Sequence, residues 1–242
     1  MPMHSGGTGA ESAAGLAGGD SGKFFGDLAN GLHAMAQPLT ILRASMEVLA
    51  LPPSAGVDQR RYLEISTSQL ERACHLFTCV QDLVAVKIVE AQKKQFDLWE
   101  LITPLIEGQK GILQASGVAI AVARQEACCA ILGDPGRTEQ AVAAALQMAA
   151  ELASRGGVIE VSAAQGGGFA ELTLRNTSRH GRSLDSSARL SVALAEANVL
   201  SQGGKYEFAE DPLRVSMALP VEEAARAGKE TPGIRWDAER MH

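Results

Sequence analysis

The most regular pattern of apolar and polar positions in the chain begins at Phe25. Phe25, Leu28, Leu32, Met35, Leu39, Leu42, Met46 and Leu49 follow one another at intervals of 3, 4, 3, 4, 3, 4 and 3 residues. This is an a/d heptad seam, and it predicts a helix packed lengthwise on another helix. Leu51-Pro52-Pro53 ends it, because proline has no amide hydrogen and its ring clashes with the preceding turn. A second helix is predicted from near Val57-Asp58, with Asp58 as its N-cap. Its seam runs through Leu63, Ser66, Leu70, Ala73, Phe77, Val80 and Val84, widened by Leu76 and Leu83. The two helices form a hairpin, which alone cannot bury both apolar faces. Two copies are therefore expected to pair as a four-helix bundle, making a homodimer.

From Phe96 the period alternates between helical and extended. Helices are predicted over Leu98 to Gln114, Arg137 to Ala153 and Ser187 to Leu200. Strands are predicted over Val118 to Arg124, Val158 to Ala163, Phe169 to Leu174, Lys205 to Phe208 and Leu213 to Leu219, with Gly166-Gly167-Gly168 turning between two of them. That order predicts an α+β fold in which one mostly antiparallel sheet is covered by three helices. Residues 1–22 are rich in Gly, Ala and Ser, have no apolar period, and read as a disordered leader. The organisation expected is a helical hairpin over 23–92, a sheet domain over 93–221, and a flexible tail over 222–242 in which Trp236 is the one docking candidate.

Composition narrows the function classes. A formal charge of −6 and Lys/Arg runs no longer than two argue against nucleic acid and against a polybasic membrane patch. No apolar run approaches a bilayer span, the start lacks a signal-peptide layout, and a cytoplasmic protein is expected. Cys74, Cys79, Cys128 and Cys129 show no CxxC spacing and suggest reduced thiols rather than a disulfide framework.

Several segments resemble sensor histidine kinases. Leu32-His33-Ala34-Met35-Ala36-Gln37-Pro38-Leu39 is similar to the H-box of the subtype reading H-E-x-x-Q-P-L. Phe96-Asp97-Leu98 with Leu101-Ile102 resembles the entry to the kinase ATP-binding domain. Gly133-Asp134, Arg137, Gln140 and Gly156-Gly157-Val158-Ile159-Glu160-Val161 are similar to the stretch flanking its N-box. Gly203-Gly204 and Ala218-Leu219-Pro220 look like its closing strands. The resemblance covers roughly 24–220. It implies a dimeric helical hairpin followed by an ATPase-like α/β sandwich.

The departures from that family bear on function. The N-box asparagines align with Ala144 and Met148, and in the family the second holds the magnesium that bridges the ATP phosphates. A thioether is a poor ligand for so hard a cation. The family's lysine is Glu151, its adenine-reading aspartate is Asn176, the glycine after it is Ser178, and its glycine-rich loop is Arg189-Leu190-Ser191. Ten residues separate Asn176 from Ser187, where the family has a longer ATP lid. Together these imply that no ATP or other cofactor is bound.

His33 is a b position of the heptad, pointing away from the seam. A neutral imidazole nitrogen can attack phosphorus. The acidic residue that assists attack on ATP in the family is Ala34 here, which agrees with a lost ATP site. Transfer from an aspartyl phosphate demands less, because a response regulator brings its own magnesium and lysine. Gln37 lies one turn on and either orients the ring or places a water; an ordinary solvated glutamine is the plain alternative. Pro38 removes the bond to the Ala34 carbonyl and is expected to kink the helix beside His33. His75 reads as structural and His180 carries no pattern. Ala34, Ile41, Ala44, Val48 and Leu51 continue down the same face as a docking strip for a response regulator, unless the second helix covers them.

Two functions fit these residues. One is a histidine phosphotransferase relaying phosphoryl groups between response regulators through His33, similar to the ChpT-like proteins built on a degenerate kinase core. The other is a non-catalytic pseudo-histidine-kinase that binds and regulates a response regulator or kinase. A regulator phosphatase leaning on Gln37 is a third option.

Overall fold

The computed structural model describes residues 11–52, 58–115, 117–123, 130–176 and 184–221, with side chains from residue 22 onward. Its elements in chain order are α1 (Glu11–Leu49), α2 (Gln59–Ile88), β1 (Lys94–Asp97), α3 (Leu98–Ala115), β2 (Ala119–Ala123) and β3 (Ala130–Gly133). They continue as α4 (Pro135–Leu152), β4 (Val158–Gly166), β5 (Phe169–Asn176), α5 (Ser186–Leu200), β6 (Lys205–Ala209) and β7 (Arg214–Pro220). This is the expected mixed α+β chain, a helical hairpin followed by an ATPase-like sheet domain, and it divides into two units.

The first unit gathers α1, α2 as far as Val84, and Asp185–Ala193 at the start of α5. The helix α1 reaches back to Glu11, into the segment expected to be a disordered leader. Backbone helix needs no apolar period, and Ala13, Ala14, Leu16 and Ala17 favour it. Residues 1–10 lie outside the described residues. The helix also continues through Pro38 to Leu49. Beyond the proline, the Thr40 hydroxyl donates to the Ala36 carbonyl (2.8 Å) and the Ser45 hydroxyl to that of Ile41 (2.9 Å). Asp58 caps α2 as expected, its carboxylate accepting from the Arg61 amide at 3.2 Å.

The heptad seam is split. Leu28, Met35, Leu42 and Leu49 are half-buried, whereas Phe25, Leu32, Leu39 and Met46 are 50–64% exposed. On α2, Ser66, Ala73, Leu76, Cys79, Val80 and Leu83 are buried, while Leu63, Leu70 and Phe77 are 51–56% exposed. From Phe25 to Met46 on α1 and from Leu63 to Phe77 on α2, every seventh residue is thus an apolar side chain left open. Gly31 marks a close approach: a Cβ there would meet Val80 Cγ2 at 2.7 Å and Leu190 Cδ1 at 3.0 Å. Only glycine lets α1 come this near both neighbours.

The second unit is built on a five-stranded sheet in the order β2-β4-β5-β7-β6, with β1 and β3 pairing as a separate antiparallel ribbon. Only β2 and β4 run parallel. Alternation along β5 buries Ala170, Leu172 and Leu174, and Ile159, Val161, Val215, Met217 and Leu219 join them. The helices α3 and α4 supply Leu98, Trp99, Ile102 and Ile106, and Ala141, Val142, Ala145 and Met148. The ribbon was not predicted, because four-residue strands leave too little alternation to read.

Two polar clusters fix the helix ends in this unit. Asp134 caps α4, accepting from the Arg137 amide at 3.2 Å, and its other oxygen accepts from the Gln92 amide at 2.7 Å. The buried Arg137 donates to the Val89 carbonyl. Gln202, fully buried, accepts from the Asp134 amide (2.7 Å) and donates to the Asn198 carbonyl (3.0 Å). The end of α5 is a Schellman turn, with Gly203 at φ +83°, its amide donating to Leu200 and that of Gly204 to Val199.

Candidate functional site

His33 is exposed on α1 and opens onto a cleft of about 190 Å³ within the first unit. Ala34 and Gln37 from the same helix, Arg72 from α2, and Asp185 line it too. The one-turn spacing of His33 and Gln37 puts both on one helix face, and the cleft brings them together. Ser186 and Ser187, the first residues of α5, complete the lining.

The charges in the cleft are paired. Arg72 Nη2 stands 3.0 Å from Asp185 Oδ2, with the two side chains 42% and 57% exposed. The other Asp185 oxygen accepts from the Ala188 amide at 2.9 Å, so Asp185 is also the cap of α5. The cleft therefore holds an imidazole, a guanidinium, a carboxylate, an amide and two hydroxyls. Such a set suits an anionic, oxygen-rich group on or near the imidazole.

Sequence reasoning missed Arg72 and Asp185. Their contact spans 113 residues, beyond any local spacing rule. Asp185-Ser186-Ser187 before an apolar run did carry an N-cap signal, which marks a helix start but names no partner.

The remaining strip residues are dispersed in burial. Ala34 is 8% exposed and belongs to the lining of the cleft, so it offers little surface to a partner. Ile41 is 37% exposed, Ala44 is exposed and Val48 is half-buried. His75 is half-buried, its Nε2 3.5 Å from the buried Cys79 sulfur. Cys74 is exposed. Burial holds the Asp82 carboxyl above its usual range. His180, Ser178, Cys128, Cys129 and Trp236 lie outside the described residues.

At the positions aligned with a nucleotide site, Met148 is 0% exposed, packed into the core face of α4, and Ala144 is buried beside it. Glu151 is exposed. Asn176 is buried at the end of β5, its amide donating to the Leu213 carbonyl at 3.0 Å. Arg189 is exposed on the first turn of α5. Among the described residues no cluster of histidine, cysteine and carboxylate side chains is arranged to hold a metal, and no helix is long and apolar enough to cross a membrane.

A helical hairpin followed by this five-stranded sheet and its helices is the core fold of histidine kinases. The Acinetobacter baumannii histidine kinase AdeS superposes with a TM-score of 0.64 at 14% identity, covering 78% of this chain and 98% of that one. Histidine kinase ThkA in complex with response regulator protein TrrA gives 0.56 at 18% identity, covering 78% of this chain and 59% of that one. Full-length ShkA in complex with AMPPNP gives 0.52 at 17% identity, covering 88% and 46%. At these identities the likeness is one of fold. No family model matches the sequence, and no curated protein matches it.

Proposed function

We propose that the protein is a cytoplasmic histidine phosphotransferase of the ChpT-like type, passing phosphoryl groups between response-regulator receiver domains through His33 without ATP. The observation that carries this reading is His33 itself, exposed on the hairpin and facing a cleft with Gln37 and Arg72. In the receiving direction a lone pair of the neutral ring attacks phosphorus of the regulator's aspartyl phosphate. The N–P bond forms as the acyl P–O bond breaks, and the electron pair leaves with the aspartate carboxylate. Magnesium and lysine come from the regulator, so this chain supplies alignment and the nucleophile.

Three further observations support the reading. The residues aligned with the kinase magnesium site do not fit the metal: Met148 is sealed in the core and Ala144 has no donor atom. Histidine kinase ThkA, which shares this fold, has been solved in complex with response regulator protein TrrA. The open apolar stripes of α1 and α2 suit pairing with a second copy, which would present two His33 sites on one bundle. Ile41, Ala44 and Val48 below His33 form the proposed docking strip for the receiver.

The test is transfer from a phosphorylated receiver domain. Label is expected on the native chain and absent from His33→Ala, while that variant keeps its melting temperature, since an exposed side chain is replaced. Equal labelling of the variant would move the chemistry to another residue. Receiver binding with no transfer by the native chain would replace the relay with the pseudokinase.

A further inference from the structure

We infer that Arg72 and Asp185 form a charge switch for a phosphoryl group on His33, with Arg72 binding that group and Asp185 holding Arg72 when it is absent. The inference deepens the reading of His33 as phosphoacceptor and rests on it.

The two partners are held differently. Asp185 is fixed, because one carboxylate oxygen accepts from the Ala188 amide of the helix it caps. Arg72 is a long side chain whose Nη2 meets the other oxygen at 3.0 Å. Both line the cleft that His33 faces. The cleft volume of about 190 Å³ is several times the ~30 Å³ that a water molecule occupies in the liquid, so a phosphoryl group has room there.

A phosphoryl group on His33 would bring nearly two negative charges into this space. Asp185 then opposes it and Arg72 attracts it. With both side chains near half-exposed, solvent screens the Arg72–Asp185 pair and keeps it weak. A guanidinium matches phosphoryl oxygens two at a time and favours the higher charge, so Arg72 changes partner when His33 is loaded. Ser186 and Ser187 add the N-terminal end of α5, whose dipole has the same sign. When the group leaves, Arg72 returns to Asp185. The acidic residue thereby limits how long the phosphoryl group is held, as a relay requires.

The experiment uses the full chain and phosphoramidate, which transfers its phosphoryl group to imidazole with loss of ammonia and needs no regulator. Occupancy of phospho-His33 and its half-life are read by phosphorus NMR, and each variant is melted. Arg72→Ala is expected to lower both about tenfold, with Arg72→Lys recovering part of the loss. Asp185→Asn keeps a cap of equal quality but removes the charge, and is expected to raise both without changing the melting temperature. That gain should vanish in the Arg72→Ala background. A purely structural pair would instead shift both variants the same way, in step with stability. Unchanged occupancy in Arg72→Ala, a fall in Asp185→Asn, or no label at His33 in the native chain overturns the switch. Should Arg72→Ala fail to fold, Asp185→Asn decides alone. Labelling by phosphoramidate in this pattern, with none from a phosphorylated receiver domain, keeps the switch and retires the relay.

Discussion

Two neighbours on α1 divide sharply: His33 is exposed, while Ala34, one residue on, is 8% exposed. The heptad frame foresaw the outward histidine but not the buried alanine, because the helix that approaches that face is α5, remote in sequence. A second residue shows burial acting on a titrating group. The hydroxyl of Tyr206, on the edge strand β6, is buried without a hydrogen-bond partner among the described residues. Desolvation, and after it the charge of Glu196, push this phenol above its ordinary value of 10.0. The unfolded chain therefore ionises first, so stability is intact below that ordinary value and falls as the pH rises beyond it. Tyr206→Phe is expected to raise stability by about 1 kcal/mol at neutral pH, because an unsatisfied hydroxyl is removed. It should also blunt the alkaline loss, which thermal melts at neutral and alkaline pH will check. A native chain whose melting temperature stayed flat above the tyrosine range would contradict this.

At the scale of elements, amphipathic helices were the most legible feature of the sequence. The predicted bounds of α3, α4 and α5 agree with those observed to within two residues. The ribbon of β1 and β3 and the backward extension of α1 were not legible, for neither depends on a repeating apolar face. The seam itself was legible as a set of eight positions but not as two half-sets, since periodicity cannot say which neighbour covers which residue. Leu39, an open member, and Ile41, on the proposed strip, give contrasting outcomes. Leu39→Glu places a charge at the proposed dimer seam and is expected to shift sedimentation toward the monomer, costing several kcal/mol of association. Ile41→Asp is expected to leave the dimer and the melting temperature in place while weakening receiver binding at least tenfold, the effect of a carboxylate desolvated without compensation. Dissociation by Ile41→Asp, or none by Leu39→Glu, would exchange the roles assigned to the two faces.

For the whole molecule, a kinase-like fold was readable from the order of short motifs, whereas its chemistry lies in particular side chains. Met148 and Ala144 could be named from alignment alone; that Met148 is sealed in the core could not, and this burial makes recovery of a metal site by side-chain rotation sterically costly. Titration with ATP and magnesium is accordingly expected to give no heat and no shift in melting temperature. Micromolar affinity would show that nucleotide is held through other groups. The segment between α2 and β1 has a backbone that belongs to neither element. Such a stretch would ordinarily trade its amide protons with solvent within seconds. Here the Gln92 amide is given to the Asp134 carboxylate that also caps α4, and the Val89 carbonyl is taken by the buried Arg137. Opening this strand-less stretch therefore means uncapping a helix, and deuterium should enter at Gln92 only as fast as the first turn of α4 frays.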